Sequence, residues 1–159
     1  TPVYLGVAVA AYEEIVKVLE GRQPPGYTQP LTYHPDTRRK VAQMAVDIEA
    51  ARLVTYNSAW LVDSQGPNRD SLAALFRAKY IVGDVCSRIT RIALELGGAH
   101  EIFKGSRLEQ LFRDGALAPI MAPQADFCLH NIAMHALGLD AKDLLPPLKP
   151  YAKDKSPRP

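Results

Sequence analysis

The chain has 159 residues, 47% of them apolar, and a net charge of +2, which suits one globular domain with a buried core. The near balance of charge gives no basic footprint for nucleic acid or a membrane surface. No apolar run approaches the ~20 residues that span a bilayer, and the apolar residues 4–11 lack a basic leader and run into Tyr12-Glu13-Glu14, so they do not read as a signal peptide.

The first helix is expected over residues 3–20. Val7, Ala8, Ala11, Ile15, Val18 and Leu19 recur on one helical face, and Gly21 suits the stop. The pattern opens in mid-helix, so the chain is expected to be a piece of a longer protein. Arg22-Gln-Pro-Pro-Gly-Tyr-Thr-Gln-Pro cannot continue a helix. A second helix is expected from Pro35, since proline suits a first turn, to about Asp63. Val41, Met44, Ala45, Ile48, Ala51, Ala59 and Leu61 line it, and Ser64-Gln-Gly-Pro-Asn forms a turn. A third helix starts at Asn68 or Asp70 and ends at Gly97, with Leu72, Leu75, Ala78, Ile81, Val85, Ile89, Ile92 and Leu96 at helical spacing. At ~1.5 Å per residue it is about 40 Å long. A short helix covers residues 107–114. A fourth long one is expected over residues 123–137, with Phe127, Leu129, Ile132, Ala133 and Leu137 in the core and Gly138 as the stop. Residues 141–159 form a Pro/Lys-rich tail, expected to lie outside the packed core. Long helices joined by short turns predict an all-α, up-down four-helix bundle over residues 1–140.

Candidate chemistry is sparse. Cys86 and Cys128 fall within helical patterns without CxxC spacing, so they read as buried thiols of a reducing, cytoplasmic compartment. His130 and His135 are five apart, whereas helical metal pairs use four, so no metal is expected. Ser58, Ser71 and Ser87 lack a GxSxG elbow. Lys79, Arg88 and Arg91 put positive charge on the third helix, read as a solvated or intersubunit face. Ala74, Ala78, Val82 and Ile89 add apolar surface to that helix beyond one stripe, which predicts self-association through the third and fourth helices. Gly97-Gly98 ends the helix. One glycine suffices for a stop, and a second permits close approach of the backbone to a ligand or another subunit.

Residues 92–114, IALELGGAHEIFKGSRLEQLFRD, run a helix into a double glycine, then a short amphipathic turn ending in Arg113-Asp114. That order resembles the C-terminal helical domain of acyl-CoA dehydrogenases. The resemblance extends over about residues 1–140: Leu5-Gly6-Val7-Ala8 is similar to the family's first bundle helix, residues 42–63 to its second and residues 78–98 to its third. It implies a flavoprotein oxidoreductase with FAD as cofactor, an acyl-CoA substrate, and a homo-dimer or homo-tetramer whose core is the bundle. It also implies that Gly97 and Gly98 lie beside the flavin of a neighbouring subunit and that Arg22 contacts a partner's flavin diphosphate, a role suited to guanidinium geometry. The isolated domain is expected to be inactive.

The chain departs from the family pattern in four places. Pro25-Gly26 stands for Phe-Gly, Pro35 stands near a glutamine position, and Leu94 replaces a glutamine three residues before the glycines. The family's catalytic glutamate, eight residues after Arg-Asp, is Ala122 here, which cannot act as a base. Met121, Ala122 and Pro123 are therefore expected to shape the substrate pocket without taking a proton. The catalytic residue stays unidentified: a carboxylate upstream of Thr1, or Asp126 one turn on, although an acidic residue in a first helical turn is explained by the helix dipole alone. Two alternatives stay open, a flavin-dependent monooxygenase on the same scaffold, for which His130 and His135 are the nearest downstream histidines, and a flavin-free helical module that serves oligomerisation.

Overall fold

A computed structural model describes residues 1–140. The expected tail lies outside the described residues. Three long helices, α1 (Pro2–Gly21), α2 (Pro35–Gln65) and α3 (Arg69–Gly97), precede two short ones, α4 (Arg107–Ala116) and α5 (Ala125–Ala136). Single 3₁₀ turns, Leu31–Tyr33 and Ala99–Ile102, lead into α2 and away from α3. No strand occurs among the described residues.

Local chemistry sets the ends. Pro2 and Pro35 open α1 and α2, where a missing N–H is harmless. Asn68 caps α3, its Oδ1 accepting from the Asp70 and Ser71 amides at 2.9 Å while Ser71 Oγ accepts from the Asn68 amide at 2.9 Å; this reciprocal box satisfies donors that a helix start leaves free. The turn between α2 and α3 is only residues 66–68, so the two helices fold back antiparallel.

α3 is the axis of the bundle and packs against α1, α2, α4 and α5. Its residues Lys79, Gly83, Cys86, Thr90, Ala93 and Gly97, spaced alternately by four and three, are all buried. The stripe is mostly small, and it lets α4 and the loop after it approach closely. A Cβ on Gly97 would stand 2.8 Å from Leu108 Cδ1, and one on Gly115 of α4 would stand 2.6 Å from Thr90 Cγ2. The opposite faces of α3 meet Leu5, Ala8, Ala11, Ile15 and Leu19 of α1 and Met44, Ile48 and Ala51 of α2 in one core.

Four sequence expectations change. The fourth long helix is the 12-residue α5, and Phe127, Leu129 and Leu137 are exposed while Cys128 is buried. The reason is that α5 lies on α3 alone, so a single narrow line is covered; Phe127 instead meets Phe76 edge-on at 5.8 Å. Leu72 and Leu75 are exposed, their intended place taken by Ala73 and Ala74. The C-terminal half of α2 buries Thr55 and Ser58 rather than Ala59 and Leu61; both hydroxyls are satisfied by backbone carbonyls at 2.8 Å. The additional apolar residues of α3, Ala74, Ala78, Val82 and Ile89, are consumed inside the domain. Exposed apolar residues occur on α2, at Val46, Leu53, Tyr56 and Trp60, and also at Leu72 and Leu75 of α3 and Phe127 and Leu129 of α5.

Arg88 lies on the surface as expected and bridges α3 to α2 through Asp47. No helix among the described residues is long and apolar enough to cross a membrane.

Candidate functional site

Two of the expected site elements meet at the C-terminal end of α3. Arg22 follows α1, and its Nη1 donates to the Leu96 carbonyl at 3.2 Å, joining positions 74 residues apart. A cation is favoured there, because the last carbonyls of a helix carry partial negative charge. Beneath the guanidinium lies Gly98, with φ 72° and ψ −170°, a region that glycine alone occupies without strain. A Cβ on Gly98 would stand 2.9 Å from Arg22 Nη1 and closer still to Nη2. The double glycine is thus divided in its work. Gly97 admits Leu108 and Glu101 against the helix end, and Gly98 turns the chain under Arg22.

Beside this turn is a cleft of about 240 Å³ lined by Arg91, Leu94, Glu95, Gly98, Ala99, Ile102 and Phe112. Leu94, Ile102 and Phe112 make it largely apolar, and the Arg91 and Glu95 side chains pair across its edge at 3.1 Å. Bare backbone, an apolar wall and a half-buried guanidinium suit a planar ligand that also carries phosphate. Arg113 of the Arg-Asp motif points outward and pairs with Glu109 at 2.5 Å, a bond that raises its already high pKa.

The remaining expected element, Met121, Ala122 and Pro123, is elsewhere. It belongs to the loop between α4 and α5, which is seated on α3 near Lys79. Gly98 and Lys79 are 19 positions apart on one helix, or about 28 Å. One chain therefore does not bring Arg22 and the glycines together with the Ala122 loop. The loop is internally bonded, Met121 N–H to Leu117 O at 2.9 Å and Ala125 N–H to Pro119 O at 3.0 Å, and the Ala122–Pro123 peptide is cis. Met121, Ala122 and Pro123 are exposed. Asp126 stands exposed in the first turn of α5.

The remaining polar candidates sit away from both places. His135 bridges Asp70, at 2.6 Å, and Arg77, at 3.3 Å, docking α5 on α3; since Arg77 donates to Nδ1, the Nε2 nitrogen carries the proton toward Asp70. His130 is exposed. No group of three or more metal-ligating residues occurs among the described residues. Burial pushes the Cys86 thiol up to about 12, only partly opposed by a hydrogen bond to the Ala8 backbone. A cleft of about 470 Å³ between the start of α3 and α5 is lined by no residue of either site element.

Lys79 departs from its expected place. Rather than facing solvent it is buried, with Nζ donating to the Ala118 carbonyl at 2.8 Å. The only sequence signal for this is the alternating four–three spacing that sets Lys79 in line with Gly83, Cys86 and Gly97.

Residues 2–137 match the C-terminal domain of acyl-CoA dehydrogenases. Among curated relatives, cyclohexane-1-carbonyl-CoA dehydrogenase of Geobacter metallireducens is 32% identical over 116 residues, covering 73% of this chain and 29% of the relative. The 3-(aryl)acrylate reductase of Clostridium sporogenes is 32% identical over 110 residues, covering 69% of this chain and 28% of that protein. The structure of butyryl-CoA dehydrogenase from Megasphaera elsdenii superposes with a TM-score of 0.78 at 25% identity, covering 84% of this chain and 34% of the other. The chain thus spans about a third of the length of these proteins. With a helical architecture and a helix-end turn of this kind, and with a match over nearly all its described residues, the chain belongs to the acyl-CoA dehydrogenase C-terminal domain family.

Proposed function

We propose that this domain is the bundle of an FAD-dependent acyl-CoA dehydrogenase-like oxidoreductase, and that it serves two active sites of a homo-dimer or homo-tetramer at once. The observation that carries this reading is the juxtaposition of Arg22, Gly97 and Gly98 beside the apolar cleft. Arg22 has guanidinium N–H groups beyond the one spent on Leu96 and would bind a flavin diphosphate; Gly98 would let the cofactor approach the backbone. Bound there, FAD would supply the electron sink for oxidation of an acyl thioester. The separation of about 28 Å from the Ala122 loop supports a division in which the glycine end contacts a partner's flavin while the loop walls the acyl site of another.

The wall, Met121 to Pro123, excludes water and orients the acyl chain but holds no proton-accepting atom. The base lies on another part of the full-length protein, or is Asp126. Self-association is assigned to the exposed apolar line of α2, Val46, Leu53, Tyr56 and Trp60, whose spacing of seven, three and four suits pairing with another helix.

The test is anaerobic addition of butyryl-CoA to the full-length protein. Bleaching of the flavin's visible band is expected, and an unchanged spectrum with flavin bound would contradict dehydrogenation. The lack of a titratable atom at Ala122 favours one second reading, a flavin-dependent monooxygenase. In that case an unbleached flavin would be accompanied by substrate-dependent oxygen uptake once the flavin is reduced by an external donor.

A further inference from the structure

Lys79 is the sole buried charged side chain among the described residues. It stands on the buried stripe of α3, and its Nζ reaches the Ala118 carbonyl at 2.8 Å while lying 5.5 Å from the centroid of the Tyr4 ring on α1. Among the described residues no carboxylate stands within ion-pair distance of it. An ammonium taken out of water without an anion is unfavourable, so the carbonyl and the ring face are what hold it there.

One helical turn on, Gly83 faces the same carbonyl. A Cβ on Gly83 would stand 3.3 Å from Ala118 O and 3.4 Å from Pro119 Cα. The two residues form a seat: the glycine removes the side chain that would lift the loop away, and the ammonium grips the carbonyl that then lies against the helix. Ala118 is fully buried in consequence. On the outer side of the same loop, Ile120, Met121, Ala122 and Pro123 are exposed. The far end of the loop closes on the same region, with Cys128 Sγ 3.6 Å from the Pro123 carbonyl. Burial raises the Cys128 pKa and the Lys79 charge opposes that rise, which places the ammonium within electrostatic reach of both ends of the loop.

We propose that Lys79 is a positioning residue: through Ala118 it sets how far the Met121–Pro123 wall stands from α3, and so where an acyl-CoA would lie against it. What the wall contacts rests on the functional reading above; the seat itself does not.

The test uses the full-length protein with Lys79→Met, which keeps the stem and removes the charge, and Lys79→Arg, which keeps a charged donor. Hydrogen exchange is followed at the Met121 and Ala125 amides, with Ile15 and Ile89 as core references, alongside steady-state turnover of butyryl-CoA with an added artificial electron acceptor that reoxidises the flavin. Lys79→Met should speed exchange at the two loop amides by about tenfold or more, leave the core references nearly unchanged, and raise KM more than it lowers kcat. Lys79→Arg should restore most of the protection and the KM. Unchanged loop exchange in Lys79→Met overturns the proposal, as does exchange that rises equally in the core. Should Lys79→Met fail to fold, Gly83→Ala approaches the seat from the other side: exchange must rise at the same two amides and not in the core, and no rise overturns the seat. A wild type without turnover would refute the functional reading, whereas the exchange arm would still decide whether Lys79 holds the loop.

Discussion

Gly98→Ala is the substitution whose consequence the geometry specifies most closely. At φ 72° and ψ −170° a side chain strains the backbone by about 1–3 kcal/mol. The new Cβ would also stand 2.9 Å from Arg22 Nη1 and 3.0 Å from Cζ. Arg22 is the end of a flexible side chain, so it is the arginine that moves, and its bond to the Leu96 carbonyl is lost. A hydrogen bond from a charged donor contributes about 1.5–3 kcal/mol, and Arg22 is only half-buried, so the lower end applies. The two effects together weaken the end of α3 by about 2–4 kcal/mol, or roughly 30- to 1000-fold in local opening. Native-state hydrogen exchange reads this at Glu101, whose N–H donates to the Gly98 carbonyl at 3.0 Å, and at Leu31, whose N–H donates to the Arg22 carbonyl at 2.9 Å. In an Arg22→Ala background only the backbone strain remains, so the same substitution should be milder, and the shortfall measures the Arg22 contact. An identical effect in both backgrounds would show that the guanidinium does not lie over Gly98.

Three other outcomes are expected. The folded Cys86 thiol keeps its proton up to about pH 12, whereas the unfolded thiol ionises near its ordinary value of 9.0; its contribution to stability is full below that value and falls as pH rises toward 12, so Cys86→Ala should flatten the decline of the thermal midpoint over this window. Asp126→Asn should leave α-proton exchange on an acyl-CoA unchanged, because its place in the first turn of α5 is explained by the helix dipole; a loss of about 10²–10⁴-fold with flavin still bound would make Asp126 the base. Trp60→Glu on the exposed line of α2 should shift the protein toward monomer in sedimentation velocity, and an unaltered oligomer would move the interface off α2.

The long helices were legible because their ends are written in local chemistry: Pro35 at a first turn, Asn68 as a cap, Gly97 and Gly98 at a stop. α5 was not, because periodicity does not reveal how many neighbours a helix has, and α5 has only α3 beneath it. Gly98 could be recognised as unusual, but its reason is an arginine brought in from the end of α1. Lys79 was misplaced for a similar cause. A lysine among arginines on a long helix suggests solvent, and its burial depends on a carbonyl 39 residues later in the chain. That Ala122 carries no titratable group follows from residue type alone; where the loop sits on α3 required the fold.

Arg22 and the glycine turn of α3 are proposed to belong to a flavin site. The most direct measurement is the visible absorption spectrum and released-flavin content of the purified full-length protein, compared with its Arg22→Ala variant. Stoichiometric FAD in the wild type, and markedly lower occupancy in the variant with helicity retained, is the expected result. A wild type that binds no flavin after incubation with excess FAD would contradict the claim, and full occupancy in Arg22→Ala would remove Arg22 from the site.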